Sequence, residues 1–175
     1  QGHSTKFAIN LSGQSMQNEQ FFKTLLAKLD LHAHLNKRII FEITESTAIK
    51  ELDMVNNFIG ILQERGFKVC LDDFGAGSAS FQYLQKLHVD YLKIDGQYTR
   101  KLLTSQRDAV MVKNLARMCA DLGVTVIAEF VETRGQASLL REMGIPLAQG
   151  FLYSKPLLKP DFDPEAARKK IEGAA

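Results

Sequence analysis

The sequence predicts an α/β fold built on a parallel sheet, a (β/α)8 TIM-like barrel that is incomplete in this chain at about six strand–helix units. Three observations predict it. Short apolar runs alternate with stretches of helical period. The runs are hydrophobic almost throughout, as strands buried on both faces are. Polar or charged residues end one run after another, and a parallel barrel gathers its functional groups at the strand C-termini. An open doubly wound sheet concentrates its site at one switch point, so functional residues at six strand ends favour the barrel. With 175 residues the chain is shorter than the usual barrel minimum of about 200, so the barrel's first strands are expected upstream.

The strands read Phe7-Ala8-Ile9-Asn10, Ile39-Ile40-Phe41-Glu42, Val69-Cys70-Leu71-Asp72-Asp73, Tyr91-Leu92-Lys93-Ile94-Asp95, Val126-Ile127-Ala128-Glu129 and, more weakly, Ala148-Gln149-Gly150. After the first, Phe21, Phe22, Leu25, Leu26 and Leu29 recur at helical spacing. After the second, Ala48, Leu52, Val55, Ile59 and Leu62 do so, and Gly66 closes the helix. A short helix carries Phe81, Leu84 and Leu87. A long one over 106–122 is expected to turn Val110, Leu115, Met118 and Cys119 inward before Gly123. Ala137, Leu140 and Met143 repeat the pattern before Gly144, and Asp163-Pro164-Glu165 opens a last helix with an N-cap and a proline at N1. Residues 1–4 read as a cloning scar; residues 5–175 are then part of one domain cut from a larger parent.

The composition, 45% apolar and 24% charged with net charge +2, is that of a globular domain. It shows no basic stripe for a nucleic-acid polymer and no apolar run long enough to span a bilayer. Cys70 and Cys119 read as buried reduced thiols, consistent with a cytosolic compartment.

The strand-end residues Asn10, Glu42, Asp72, Asp73, Lys93, Asp95, Glu129 and Gln149 are expected to form one oxygen-rich pocket. Carboxylates crowd together only with cations to compensate them, and oxygen donors suit Mg²⁺ or Mn²⁺ rather than zinc. Two such ions are a standard device for phosphodiester hydrolysis. Strand alternation sends Lys93 and Asp95 to one side, either as a functional pair or as a buried ion pair. Glu45 and Glu132 read equally well as acids in the first turn of a helix. Asn10 reads equally well as a turn residue.

These residues fall in motifs that resemble one family, the EAL domain, a bacterial phosphodiesterase of cyclic di-GMP. Phe41-Glu42-Ile43-Thr44-Glu45-Ser46 resembles E-[LI]-T-E-S, and Asp72-Asp73-Phe74-Gly75-Ala76-Gly77 resembles D-D-F-G-[TS]-G. Val89-Asp90-Tyr91-Leu92-Lys93-Ile94-Asp95 resembles V-D-x-L-K-I-D, and Ala128-Glu129-Phe130-Val131-Glu132-Thr133 resembles A-E-G-V-E-T. The segment from Gln149 through Gly150, Phe151, Leu152, Tyr153, Ser154 and Lys155 to Pro156 resembles Q-G-[YF]-x-[FY]-[SG]-[KR]-P.

The resemblance implies two-metal hydrolysis of cyclic di-GMP to linear pGpG in second-messenger signalling. Asn10, Glu42, Asp72, Asp73 and Glu129 would be metal ligands for two Mg²⁺ or Mn²⁺ ions, Asp72 bridging them, with Glu129 alternatively the general base. Lys93 would orient water or stabilise charge on the phosphate. Asp95, Glu132 and Gln149 would support the site or the substrate. Glu45 would anchor the loop over 74–80 that couples dimerisation to metal binding. The resemblance also implies a homodimer, flanking sensory or GGDEF-type domains in the parent, and a cytoplasmic location, even where the parent is membrane-anchored.

There are departures. The Glu-Ala-Leu tripeptide is absent, and Glu165-Ala166-Ala167 is out of order for it. Phe130 replaces a usual glycine and is expected to crowd the site floor, and Ser78 stands where an aromatic residue is frequent. The alternative function is a degenerate, non-catalytic EAL domain acting as a cyclic di-GMP receptor or a protein-interaction module. A two-carboxylate glycosidase fits poorly: it needs neither the aspartate pair nor the lysine, and the chain has no tryptophan for sugar stacking.

Overall fold

The computed structural model describes residues 5–44, 52–76 and 81–158. Six parallel strands alternate with helices along it. In order they are β1 (Phe7–Leu11), α1 (Gly13–Gln17), α2 (Glu19–Leu31), a 3₁₀ turn (Ala33–Leu35), β2 (Ile39–Thr44), α3 (Leu52–Glu64), β3 (Lys68–Phe74), α4 (Phe81–Lys86), β4 (Tyr91–Ile94), α5 (Gly96–Lys101), α6 (Gln106–Asp121), β5 (Thr125–Ala128), α7 (Arg134–Glu142) and β6 (Leu147–Ala148). The chain divides into two compact units, Gln1–Lys93 and Ile94–Ala175. No helix among the described residues is long and apolar enough to cross a membrane.

In the first unit β1, β2 and β3 pair in parallel, with Asn10 opposite Glu42 and Thr44 opposite Asp72. Val69, Cys70 and Leu71 are all fully buried, as a parallel strand covered on both faces requires. Helix α3 closes one side with Val55, Phe58, Ile59 and Leu62, all buried, the i, i+3, i+4, i+7 stripe of an amphipathic helix. Phe41 and Phe67 meet edge to face at 5.7 Å behind the sheet.

Asp90 fixes the start of β4. Its carboxylate accepts hydrogen bonds from the Val69 backbone N–H at 3.0 Å, Gln63 Nε2 at 3.0 Å and Lys68 Nζ at 2.6 Å. Its own N–H donates to the Val69 carbonyl at 2.9 Å. The partnership with Asp90 holds the Lys68 ammonium above its ordinary pKa.

In the second unit β5 and β6 pair in parallel, Ile127 opposite Leu147. Helix α7 begins at a capping box: Thr133 accepts from the Gln136 backbone, and the Gln136 side chain accepts from the Thr133 backbone. The side-chain amide of Gln136 also donates to the Thr99 carbonyl at 3.1 Å, which explains why this glutamine is buried.

Two sequence expectations are corrected. Helix α6 buries Val112, Ala116 and Cys119, whereas Val110 is 51% exposed. Residues 112, 116 and 119 share one face at 100° per residue, and Val110 lies off that face. Asp95 lies beyond β4, which ends at Ile94, and it caps α5, its carboxylate accepting from the Gln97 backbone N–H at 2.7 Å. The expected last helix opening at Asp163, like Ala48 and Ser78, lies outside the described residues.

Candidate active site

The parallel register builds the first part of the site. Paired residues in neighbouring parallel strands share a face, and side chains alternate along each strand. Asn10 pairs with Glu42, Glu42 with Cys70, and Asp72 follows Cys70 by two. Asn10, Glu42 and Asp72 therefore point to one side of the sheet, opposite the buried Phe41 and Ile43.

Lys93 reaches this cluster from β4. Its ammonium lies 2.9 Å from Asp72 Oδ1 and 3.5 Å from Glu42 Oε1. Lys93 is 5% exposed, and the side chains of Glu42 and Asp72 are 12% and 13% exposed. A buried lysine is tolerated only when its charge is met, and here two carboxylates meet it. Lys93 is thus paired with Asp72 and Glu42, and Asp95 caps α5.

Asp72 Oδ1 also accepts the Asp73 backbone N–H at 2.9 Å. Asp73 adopts φ +59°, a left-handed conformation uncommon outside glycine, asparagine and aspartate. This twist lets two consecutive carboxylates stay at one strand end, where extended backbone would send them to opposite faces. Asp73 and Asn10 are exposed. Glu45 lies outside the described residues.

The second unit contributes a separate cleft of about 120 Å³, lined by Glu129, Phe130, Glu132, Gln149, Gly150 and Phe151. Glu129 follows β5 and is 8% exposed, its N–H donating to the Ile94 carbonyl at 3.4 Å. The Val131 N–H donates to the Gln149 carbonyl at 3.0 Å, and the Gln149 N–H to Ala128 at 2.8 Å. The loops after β5 and β6 are therefore sewn together, which brings Glu132 and Gln149 to the same cleft. A side chain at Gly150 would collide with the Val131 backbone, so glycine is required by close approach. Sequence reasoning missed Gly96 and Arg100, which lie on a helix it did not predict. Their only signal was the residue opposite them, Phe130, at a position where glycine is usual.

A buried lysine held between carboxylates toward the C-terminal ends of parallel strands lies where parallel α/β folds gather their functional groups. The EAL domain family model matches residues 1–156, and the chain belongs to that family.

The chain is 36% identical over 149 residues to the cyclic di-GMP phosphodiesterase PdeB of Shewanella oneidensis, covering 85% of this chain and 17% of that protein. Among solved structures it is similar to the manganese/cyclic di-GMP complex of Klebsiella pneumoniae BlrP1. That match has a TM-score of 0.78 and 33% identity, over 86% of this chain and 39% of that one. It is also similar to the EAL domain of Mycobacterium smegmatis DcpA, with a TM-score of 0.79 and 28% identity over 96% of this chain and 74% of that one. The fold is accordingly that of the TIM-like EAL barrel. The chain spans about a fifth of the length of the curated relatives it matches.

Proposed function

We propose that this chain is the C-terminal part of a cyclic di-GMP phosphodiesterase domain that opens its substrate to linear pGpG. The observation that carries the reading is Lys93, held 2.9 Å from Asp72 and 3.5 Å from Glu42 at the strand ends. Family membership and the phosphodiesterase relatives support it.

Asn10, Glu42, Asp72 and Asp73 form an oxygen-only donor set that fits hard divalent cations, Mg²⁺ or Mn²⁺. The family resemblance adds Glu129 as a ligand or general base. Two such ions, when bound, supply Lewis acidity toward the phosphodiester. The residues of the chain do the rest. Lys93 places N–H donors toward the phosphate, where charge grows as water adds to phosphorus. The bond from phosphorus to the sugar 3′ oxygen breaks, and the departing oxygen takes a proton. Asp72 and Glu42 hold the Lys93 side chain in place. Glu132 and Gln149 support the substrate, and Asp95 acts indirectly, by capping α5. We read the functional unit as a cytoplasmic homodimer, with Glu45 anchoring the loop over 74–80, set within a longer parent that carries flanking sensory or GGDEF-type domains.

The test is to incubate the chain with cyclic di-GMP and Mn²⁺ and to separate the products by chromatography, with Asp72→Ala beside it. Metal-dependent pGpG that vanishes in the variant is the expected result. Nucleotide binding without any product would overturn the enzyme in favour of a receptor.

A further inference from the structure

Glu132 leaves the turn after β5 on a backbone that is fixed from several sides. Phe130 takes φ +54°, a left-handed conformation that L side chains avoid and that persists only where the surroundings impose it. Its ring lies over Gly96, with the Arg100 guanidinium 4.2 Å from the ring centroid. Val131 is tied twice: its N–H donates to the Gln149 carbonyl and its carbonyl accepts from the Leu152 N–H, each at 3.0 Å. Glu132 follows, exposed and lining the cleft.

The backbone of Glu132 itself is held by Gln136. Gln136 Oε1 accepts the Glu132 N–H at 2.9 Å and the Thr133 N–H at 3.0 Å. Its Nε2 donates to the Thr99 carbonyl at 3.1 Å. These partners fix the orientation of the amide, since a backbone N–H only donates and a carbonyl only accepts. A capping box accounts for the bond to the Thr133 N–H. It does not account for the other two. One runs to the residue that carries a cleft carboxylate, and the other crosses to α5, on a residue 37 positions earlier in the chain. Thr99 is 1% exposed and Gln136 7%, so the tie is shielded from water, where losing one partner strands the other. Asp95 caps α5 in turn, so the helix at the far end of the tie is itself anchored.

We infer that Gln136 is a positioning residue for Glu132: one buried carboxamide couples the place of α5 to the backbone of the cleft carboxylate. This rests on the proposed function, in which Glu132 supports the substrate. Gln136 is not among the residues that line the cleft, and it acts through Glu132.

The test measures Mn²⁺-dependent cleavage of cyclic di-GMP and calorimetric binding of the nucleotide by the full chain and its variants, with thermal unfolding as the check on folding. Gln136→Glu separates the cap from the tie. Glutamate at the third helical position completes a capping box as glutamine does, but an ionised carboxylate has no proton to donate to Thr99. KM and Kd are expected to rise about fivefold in Gln136→Glu, the size of one lost hydrogen bond, with kcat changed less. Gln136→Met loses both ends of the tie and is expected to raise them further. Glu132→Ala sets the ceiling. The double variant Glu132→Ala with Gln136→Met should bind no worse than Glu132→Ala alone, because a residue that acts only through Glu132 then has nothing left to position. Wild-type KM and Kd in Gln136→Glu would overturn the inference and leave Gln136 a helix cap. Losses that add in the double variant would overturn it as well, as the mark of a general weakening of the fold. In both cases an active wild type leaves the proposed function standing. A wild type that neither binds nor cleaves cyclic di-GMP would remove both.

Discussion

The two units solve different problems with similar residue types. In the first, carboxylates and a lysine are buried together, and each charge is set against another: Lys93 lies within 3.5 Å of both Glu42 and Asp72. In the second, Glu132 and Gln149 are exposed and line an open cleft with the exposed Phe130 ring, which rests on Gly96, while Glu129 is buried at its edge. Buried charge can act only if it is preorganised and compensated. An open cleft recognises shape and stacking at low electrostatic cost. The contrast is between a charge cluster compensated from within and a cleft left open to solvent.

The largest effect should come from breaking the compensated cluster. Lys93→Met leaves the Glu42 and Asp72 carboxylates partly buried against each other, and should cost about 3 kcal/mol in urea unfolding of the metal-free protein. Added Mn²⁺ should stabilise this variant more than the wild type, because the cation then replaces the lost ammonium. Equal destabilisation with and without Mn²⁺ would contradict that account of the cluster.

Next comes Asp90, in the same sequence motif as Lys93 but at the other end of β4. Asp90→Ala strands the Val69 N–H and the Gln63 amide, and should cost about 2 kcal/mol. Metal binding, followed by Mn²⁺ titration of the folded protein, should be unaffected. This separates the scaffold end of the strand from its chemical end.

The second unit is sharpened by a double-mutant cycle. Gly96→Ala should lose about 1–2 kcal/mol, since a Cβ there collides with the Phe130 ring. Phe130→Gly should be near neutral, since relief of left-handed strain offsets lost packing. The double variant should be at least as stable as Phe130→Gly alone, because alanine at 96 then meets no ring and favours the helix. Additive losses across the cycle would mean that the two residues do not interact.

The smallest effect is expected at Lys68. The Lys68–Asp90 pair at 2.6 Å is half exposed on the lysine side, so Lys68→Met should cost less than about 1 kcal/mol. The Lys68 pKa is raised by Asp90, so this stabilisation is fully present below the lysine's unfolded pKa and is lost as pH rises through the folded value. A wild-type minus Lys68→Met difference in stability that shrank on acidification from pH 9 to pH 7 would contradict the sign.

Much of this was legible in the sequence, and the exceptions have physical causes. All six strands could be read because each is an apolar run bounded by polar residues, and β1 to β4 run only a residue or two from their expected limits. The presence of Asn10, Glu42, Asp72 and Lys93 at strand ends followed from the same pattern. Their face-sharing depends on register, which spacing along one chain does not state. On α6 Cys119 is buried as expected, whereas Val110 is apolar yet exposed; hydrophobicity alone does not fix helix phase when a helix carries apolar residues on more than one face. Asp95 was read as the last residue of β4, whereas the strand ends at Ile94 and Asp95 caps the helix that follows. The Phe130, Gly96 and Arg100 group was invisible because it joins a loop to residues 30 and 34 positions earlier in the chain, through contacts that no local period encodes.

The most direct test is product analysis of cyclic di-GMP incubated with Mn²⁺ and either the wild-type chain or Lys93→Met, at matched nucleotide occupancy measured by calorimetry. The account predicts linear pGpG from the wild type and at least a hundredfold less (an order-of-magnitude expectation for losing a preorganised charge donor) from a Lys93→Met variant that still binds the nucleotide. Cleavage by Lys93→Met at the wild-type rate, or no cleavage by a wild type that binds substrate and metal, would contradict it.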